Sequence, residues 1–371
     1  MSPQKRICTR CIMDTTIPGI RFDSQGVCNF CQEFEREAEH VISPDPAQQK
    51  ARFDALISEI KAFGKGKRYD CIVGVSGGVD SSWVLVKAVQ SGLRPLAVHM
   101  DNGWNSELAQ NNIANLVRGL GVDLYTHVID WHEYRGLMQA FFDADVIDVE
   151  LLYDNAMYAV NFRLAARHGL RHMLSGLNRA TEGMHMPPEW VWNKFDRRNI
   201  LSIARRGGVK IKTFPAIGTV AAGWYSLWHK VRWIWFLDLM PFRKSEALAY
   251  LQEHCGYKPY PYKHYESVFT RFYQGYILPK KFGVDKRVVH LSSLVMSGDM
   301  SRAHALELME GIAYPSQQAL EDDIAYFLKK MRWTRADLDA YIARPRKPHD
   351  QYGSEIALFG VAQRVFRAIK R

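Results

Sequence analysis

The sequence predicts an α/β protein built on a doubly wound parallel sheet, with a cysteine-bearing N-terminal module and a mostly helical C-terminal region. Apolar runs alternate with helical patterns between residues 71 and 176, which is typical of parallel strands joined by helices. Two Cys-x-x-Cys pairs precede this region, and helical patterns dominate the end of the chain. We therefore expect three parts: residues 1–45, 46–210 and 211–371.

Composition sets the broad class. The chain has 371 residues, 47% of them hydrophobic and 24% charged, which is globular and long enough for two or three domains. The net charge of +10 suits phosphate-bearing ligands, but the basic residues are spread along the chain, so a nucleic acid partner is allowed rather than indicated. The first residues lead into cysteines without an apolar signal segment, so we expect a cytoplasmic protein.

Cys8, Cys11, Cys28 and Cys31 form the first distinctive pattern. The two pairs are separated by 16 residues, a spacing typical of four-cysteine zinc sites. Because four thiolates complete a tetrahedral shell, we expect a structural zinc ion rather than a catalytic one. Redox dithiols are the alternative, which a reducing cytoplasm disfavours. A charged connector with helical patterns, residues 33–63, follows.

The turn Ser-Gly-Gly-Val-Asp-Ser-Ser, residues 76–82, joins the first strand to its helix. Its glycines allow positive φ and close backbone approach, and its hydroxyls can converge with the first free amides of the helix. This pattern predicts an anion site of phosphate size. The spacing fits neither the nucleoside-triphosphate P-loop nor the dinucleotide-binding turn. The alternative is an ordinary strand–turn–helix without a ligand.

Polar residues also follow the second and fourth predicted strands. Carboxyl ends of parallel strands share one edge of the sheet, so these residues are expected beside the turn. Asp101 follows the second strand, with a helix cap or turn as its alternative role. Gly176 ends the fourth strand, and Asn178, Thr181 and Glu182 follow it. We expect these polar residues to bind ribose, magnesium or substrate, with a plain loop as the alternative.

Aromatic and basic residues dominate from about residue 199 to 286, where strand–helix alternation is lost. They predict that this region closes over a phosphorylated ligand or stacks on single-stranded RNA. The alternative is a solvated basic face over a buried aromatic stripe.

The Trp-rich segment 218–242 is interrupted by charges and is not a spanning helix. A helix at a membrane surface or against a partner is conceivable, but burial is the favoured expectation. Three capped helices and a final basic helix, 356–371, end the chain.

The 76–82 turn resembles the pyrophosphate loop of ATP pyrophosphatases, the PP-loop family that includes asparagine synthetases, GMP synthetases and tRNA thiolation enzymes. Further stretches narrow this resemblance: the first cysteine pair with Asp-Thr-Thr-Ile-Pro at 14–18, His-Tyr-Glu-Ser at 264–267, and the runs at 286–293 and 297–302. Together with the turn they resemble N-acetyl sugar amidotransferases of surface polysaccharide (lipopolysaccharide O-antigen) or flagellin sugar biosynthesis. Segment 218–240 matches no motif of that family.

The resemblance implies an ATP-dependent ligase reaction. AMP is transferred to the acetamido oxygen of a nucleotide-linked sugar, pyrophosphate leaves, and ammonia then displaces AMP to give an acetamidino group. Binding of the pyrophosphate is implied for Ser76, Gly77, Gly78, Ser81 and Ser82, and nucleotide contacts for Gly176 and Asn178. Magnesium is expected on Asp80 with Asp101 or Glu182. Lys280, Lys281 or Arg287 is expected to neutralise the charge of the leaving group. His264 or Glu266 is expected to orient the sugar or to take a proton from ammonia.

The ammonia source is expected to be a separate protein. The chain begins Met-Ser rather than with a nucleophilic cysteine, and it lacks a Gly-x-Cys-x-Gly elbow. The resemblance implies a separate glutaminase subunit together with a cyclase-like subunit that channels ammonia, similar to the pair in histidine biosynthesis.

Two rival functions stay open at this stage. One is a tRNA-modifying PP-loop enzyme, which catalyses thiolation or amidation and is favoured by the zinc pattern and the positive charge. A thiolase would need a thiol near the nucleotide, and Cys71 is predicted to be buried before the loop. The other is a zinc-containing nucleic-acid-binding protein with an inactive loop.

Overall fold

A five-stranded parallel sheet with strand order β3-β2-β1-β4-β5 forms the centre of the molecule. The computed structural model describes residues 6–42, 45–260 and 265–369. The strands are β1 (Cys71–Gly74), β2 (Pro95–Asp101), β3 (Leu124–Val128), β4 (His172–Ser175) and β5 (Arg232–Trp235). The predicted doubly wound parallel sheet is confirmed. The strand order reverses at β1, which pairs with β2 on one side and β4 on the other, so a crevice opens at their carboxyl ends.

Helices cover both faces of this sheet. In chain order they are α1 (Asn29–Ile42), α2 (Pro46–Gly64), α3 (Val79–Gln90), α4 (Glu107–Leu120), α5 (Trp131–Asp143), α6 (Leu151–Arg167), α7 (Arg179–Glu182), α8 (Arg197–Arg206), α9 (Thr219–Leu227), α10 (Lys244–Cys255), α11 (Val268–Phe272), α12 (Arg287–Ser297), α13 (Arg302–Met309), α14 (Gln317–Met331), α15 (Arg335–Ala343) and α16 (Ile356–Ile369). A π-helix, Tyr273–Phe282, continues α11, and 3₁₀ turns occupy Pro188–Trp190, Phe236–Leu239 and His349–Tyr352.

Alternation along the strands divides the core in two. Cys71 and Val73 of β1 pack with residues of α2, α3, α4 and α10. Ile72, between them, belongs to a larger core that also holds residues of α5, α6, the cysteine module and the C-terminal helices. Because neighbouring strand residues point to opposite faces, one short apolar run supplies both cores.

Local sequence signals explain most helix ends. The Ser106 side chain caps α4 by accepting a hydrogen bond from the amide of Ala109, and Gly121 ends the helix at φ 63°. Thr334 and Asp337 form a capping box at the start of α15. These ends agree with the sequence because both partners lie within a few residues of each other.

The Trp-rich segment differs from expectation in two ways. It supplies β5, which pairs in parallel with β4 at the edge of the sheet, so the sheet extends past the division expected at residue 210. A four-residue edge strand carries too short an apolar pattern to be recognised. The expected burial also fails for part of the segment, since Trp224 and Trp228 are 50% and 76% exposed.

Candidate active site

The turn between β1 and α3 is braced by its own serines. The Ser81 hydroxyl accepts a hydrogen bond from the Ser76 amide at 3.2 Å and lies 3.1 Å from the Ser76 hydroxyl. The amide of Gly78 donates to the Ser76 hydroxyl at 3.2 Å. Gly78 begins α3 without a side-chain cap. An uncapped helix N-terminus with hydroxyls beside it can bind an anion of phosphate size.

Gly77 fixes the position of this turn against neighbouring elements. Its φ is 86°, and an added Cβ would lie 3.0 Å from the Ala109 carbonyl oxygen of α4. The hydroxyls of Tyr257 and Tyr260 both donate to the Gly77 carbonyl, at 3.0 and 2.9 Å. The turn is therefore held from both sides before any ligand arrives.

The residues that follow β4 close one wall of the crevice. At Gly176 an added Cβ would lie 2.8 Å from the Ser81 amide nitrogen, so only glycine allows β4 to approach the start of α3 so closely. Asn178 is buried and caps the short helix α7 by accepting from the Thr181 amide. Glu182, at the end of α7, lines the cavity described below.

The carboxyl end of β2 and the loop after it brace the other side. The Asp101 carboxylate accepts from the Gly103 amide at 2.8 Å, a turn-forming contact. His99 Nε2 lies 3.0 Å from the Asn105 side-chain amide, which donates, so Nδ1 carries the proton and donates to the Val75 carbonyl at 3.0 Å. Burial lowers the pKa of His99, against the opposing effects of Val75 and Asp101. A neutral His99 thus ties β2 to the start of the turn.

Segment 266–268 carries C-terminal residues to the same place. The Glu266 carbonyl accepts from the Ser106 amide at 2.9 Å, and the Val268 amide donates to the Trp104 carbonyl at 3.0 Å. The segment therefore runs against the loop after β2, and Glu266 lines the cavity.

These elements enclose a cavity of about 690 Å³, a volume typical of small-molecule sites. Its lining includes seven of the residues predicted from sequence: Ser76, Gly78, Asp80, Ser81, Gly176, Glu182 and Glu266. It also includes polar residues that were not predicted from sequence, four on α6 and one in the loop before α8: Tyr153, Asp154, Tyr158, Asn161 and Lys194. Tyr153, Asp154, Tyr158 and Asn161 share one side of α6, but the sequence does not show that this side faces the cavity.

Asp154 and Lys194 form a charged wall in this cavity. Lys194 Nζ lies 2.9 Å from Asp154 and 2.7 Å from the buried Asp148. Burial raises the pKa of Asp154, with Lys194 opposing the shift and Asp148 adding to it. Burial disfavours the charged form of Lys194, but the carboxylates of Asp148 and Asp154 outweigh this effect and raise the pKa of Lys194. A carboxylate with a raised pKa accepts a proton more readily than an ordinary aspartate does.

Several predicted residues lie elsewhere. Ser82 is buried, and neither Ser82 nor Asp101 is part of the cavity lining. Lys281 is buried in an ion pair with Asp145 at 3.0 Å, and Arg287 pairs with Asp285. Lys280 is exposed on the π-helix. The structure brings none of these three cations to the turn, because the ion pairs and the π-helix direct them to other surfaces. His264 lies outside the described residues.

A second cavity of about 670 Å³ adjoins the first at Glu182. Its lining is largely apolar, from Met184 and from α12 and α13, with Arg271, Lys286 and His290 at its polar side. Arg271 is bound to Asp323 and Lys286 to Glu150, so these cations are neutralised by partners within the chain.

The four N-terminal cysteines form a compact buried cluster. Their sulfur atoms all lie within 4.8 Å of one another, with Cys8–Cys31 at 3.8 Å, Cys11–Cys28 at 3.7 Å and Cys28–Cys31 at 3.6 Å. Tetrahedral thiolates about 2.3 Å from zinc stand roughly 3.8 Å apart, so the cluster fits a zinc ion. Hydrogen bonding among the cysteines lowers the pKa of Cys8 and Cys28 and raises the pKa of Cys11.

Arg302 fixes this cluster to the C-terminal helices. Its guanidinium donates to the carbonyls of Cys11 at 2.9 Å and Cys8 at 2.8 Å, and the Ser292 hydroxyl accepts from the Ile12 amide at 3.4 Å. A bound metal would therefore stabilise the packing of the N-terminal module on α12 and α13. This structural role does not require the metal to contact the 690 Å³ cavity.

Fold and site together define a class: a doubly wound α/β protein with an anion-binding type of turn at the carboxyl edge of its sheet and a four-cysteine module. Residues 266–365 match a family model described as "LPS biosynthesis protein WbpG-like, C-terminal domain". The match covers about a quarter of the chain.

Two solved structures are similar to parts of the chain. The NMN synthetase from Francisella tularensis is 13% identical over 59% of this chain and 99% of its own, with a TM-score of 0.31. The NH3-dependent NAD synthetase from Campylobacter jejuni subsp. jejuni is 12% identical over 56% of this chain and 84% of its own, with a TM-score of 0.29. These scores are too low to assign an activity. No curated protein matches the sequence.

Among the described residues, no helix is both long enough and apolar enough to cross a membrane.

Proposed function

We propose that this protein is an ATP-dependent, AMP-forming amidotransferase that converts the acetamido group of a nucleotide-linked sugar into an acetamidino group. The observation that carries the proposal is the braced turn at residues 76–81, which lies in a cavity of about 690 Å³ together with Asp80, Glu182 and Glu266. The family model matched by residues 266–365 describes a lipopolysaccharide biosynthesis protein, which supports a sugar of surface polysaccharide as the substrate class.

In this mechanism the acetamido oxygen attacks the α-phosphorus of ATP and the bond to pyrophosphate breaks. The leaving pyrophosphate is bound by the amides at the start of α3 and by the Ser76 and Ser81 hydroxyls. Magnesium, when bound, would neutralise phosphate charge, and Asp80 and Glu182 are the cavity carboxylates able to hold it. The product of this step is an O-adenylyl imidate.

Ammonia then attacks the imidate carbon, AMP leaves with the former acetamido oxygen, and one proton passes to a base. Asp154 suits this role because it lines the cavity and burial raises its pKa. Glu266 is the second candidate and lies on the C-terminal wall. Lys194 holds Asp154 in place at 2.9 Å.

The rival thiolation reaction lacks a suitable thiol among the described residues that line this cavity. Cys71 is buried in the core of the sheet, and burial raises its pKa. A nucleophilic sulfur needs access and a thiolate form, and Cys71 has neither.

The test is incubation with ATP, magnesium, ammonium and a panel of acetamido sugar nucleotides. We expect AMP and pyrophosphate to appear together with a product lighter by roughly one dalton, the mass change of replacing O with NH. Ser81→Ala should lower this turnover at least tenfold, since one charge-directed donor in a closed site contributes about that much. Ser91→Ala, at the far end of α3, is the matched control. Release of ADP and phosphate instead would refute the proposal.

A separate glutaminase with a cyclase-like ammonia channel remains part of this proposal. The purified chain is then expected to use ammonium salts and to be inactive with glutamine alone. Turnover of glutamine by the single chain would contradict that expectation.

A further inference from the structure

Exposed apolar side chains are concentrated on one helix next to β5. Val220, Trp224, Leu227 and Trp228 are 71%, 50%, 48% and 76% exposed. Their spacing of four, three and one residues places them along one side of α9 and its final turn, which we call the α9 face. A patch of this kind on a folded chain marks a contact surface rather than random exposure.

The neighbouring helix α16 also carries exposed apolar side chains. Ile356, Leu358 and Val361 are each nearly half exposed, and α16 packs beside α9. More than half of the large apolar side chains that stand exposed in the described residues belong to these two helices or to Trp228.

Four arginines from α8 adjoin the start of the α9 face. Arg197, Arg198, Arg205 and Arg206 are exposed and line a depression of about 460 Å³ that Glu355 also lines. The Glu355 carboxylate accepts from the Arg198 amide at 3.1 Å and from the Thr219 amide at 2.7 Å. Glu355 therefore joins the starts of α8, α9 and α16, and it is the acidic residue in a depression that holds four guanidinium groups.

Basic residues also border the other end. Lys230 is exposed two residues after Trp228, and Arg364 is exposed on α16 beyond Val361. The surface is thus an apolar stripe containing two tryptophans, bordered by cations at both ends. This arrangement matches the interface of an anionic bilayer, where tryptophan rings lie at the headgroup level and guanidinium groups bind lipid phosphates.

We propose that the α9 face, with the adjoining α16 residues and the α8 arginines, docks this protein on the surface of an anionic membrane without spanning it. Charge argues against a second copy of the chain as the occupant. A two-fold contact through this surface would set the α8 arginines of one copy against Lys230 and Arg364 at the other end of the second copy, and like charges facing across an interface are unfavourable.

The experiment is co-sedimentation of the full chain with large vesicles. Phosphatidylcholine vesicles are compared with vesicles that also contain phosphatidylglycerol, each at low and at raised salt. We expect binding to the anionic vesicles and weakening of it by salt. The Trp224→Ser/Trp228→Ser variant should lose about tenfold or more in partitioning, because two indole rings are removed from the interface.

The Arg205→Gln/Arg206→Gln variant should reduce binding to anionic vesicles and reduce its salt dependence. Val128→Ser is the apolar control, since Val128 is 67% exposed on β3 at the opposite edge of the sheet. Lys50→Gln/Arg52→Gln on α2 is the matched charge control.

Absence of binding to anionic vesicles would overturn the proposal, as would binding that both Trp substitutions leave unchanged. Light scattering of the free protein completes the test. A concentration-dependent dimer that Trp228→Ser abolishes, with no vesicle binding, would assign the surface to a second copy instead. The proposed amidotransferase activity is measured without vesicles, so failure of one proposal leaves the other testable.

Discussion

Gly77 determines where the turn can lie, because its conformation and its surroundings both exclude a side chain. Its φ of 86° belongs to the left-handed region, and Ala109 leaves no room for a Cβ. The sequence predicted a glycine-dependent turn here, but the contact with α4 joins residues 32 positions apart and has no local signal.

Gly77→Ala is therefore expected to destabilise the fold by about 3 kcal/mol or more, from φ strain plus steric overlap with backbone. The control is Gly66→Ala, where φ is 77° and nothing lies within 4 Å, so only strain of about 1 kcal/mol applies. Urea unfolding of both variants measures the difference. Equal losses would contradict the close approach to Ala109.

His349 is a second residue whose role depends on burial. Its Nε2 accepts from the Asp148 amide at 3.1 Å, so its Nδ1 carries the proton and donates to Asn199 Oδ1 at 2.8 Å. Burial lowers the pKa of His349 to about 4. Protonation would break the bond from Asp148, which in turn accepts from Lys194 of the cavity wall.

We expect His349 to lower the free energy of unfolding in acid. The unfolded chain gains a proton on this side chain near pH 6.5 and the folded chain only near pH 4, so its contribution is complete above pH 6.5 and disappears as the pH falls toward 4. The full effect is about 3 kcal/mol. In His349→Gln this part of the pH dependence should vanish, as measured by urea unfolding at several pH values. An unchanged profile would contradict a neutral buried His349.

Among the elements, the cysteine module shows how a local pattern and a distant contact combine. The spacing of the four cysteines was enough to predict their cluster, since each pair forms its own short turn. Its attachment to α12 and α13 through Arg302 and Ser292 was not predictable, because these residues are about 280 or more positions away.

Zinc analysis of the purified protein should find about one ion per chain, and Cys11→Ser should abolish it. Because metal binding is coupled to folding of such modules, removal by a chelator should lower the melting temperature and expose the face of α12 beneath. Cys255→Ser, a buried cysteine of the other core, is the control and should keep its zinc. A metal-free protein with an unchanged melting temperature would contradict a structural zinc site.

Helices and strands with strong local signals matched expectation, from β1 through β4 and from α13 to α15. β5 did not, since four residues, Arg-Trp-Ile-Trp, become a strand only by pairing with β4. The candidate site was predicted in the same uneven way. The turn and the strand ends were found from sequence. Asp154, in contrast, lines the cavity because α6 packs against the sheet, and Lys194 joins it through an ion pair across 40 residues.

At the scale of the whole molecule, one continuous core joins the parts that the sequence had separated. This core includes Cys8 of the N-terminal module, Ile72 of β1 and Tyr352 after α15. The Trp104 ring, from the loop after β2, packs with Phe269 and Phe327 of the C-terminal helices. The distances between ring centroids are 5.4 and 6.1 Å.

We expect a single cooperative unfolding transition of the metal-bound protein, because the parts share buried surface rather than a thin linker. Tryptophan fluorescence and far-ultraviolet circular dichroism should give coincident urea midpoints. Separate midpoints for the two signals would show that the C-terminal helices unfold on their own.

The sequence by itself determined the alternation of strands and helices, the glycine-bent turn and the four-cysteine cluster, since each depends on residues within one turn or one repeat. Only the tertiary structure decided that Lys281 and Arg287 lie away from that turn, that Asp154 lines the cavity, and that the α9 tryptophans remain exposed. Those outcomes depend on which distant surfaces pack together, and burial and ion pairing across such contacts have no local pattern.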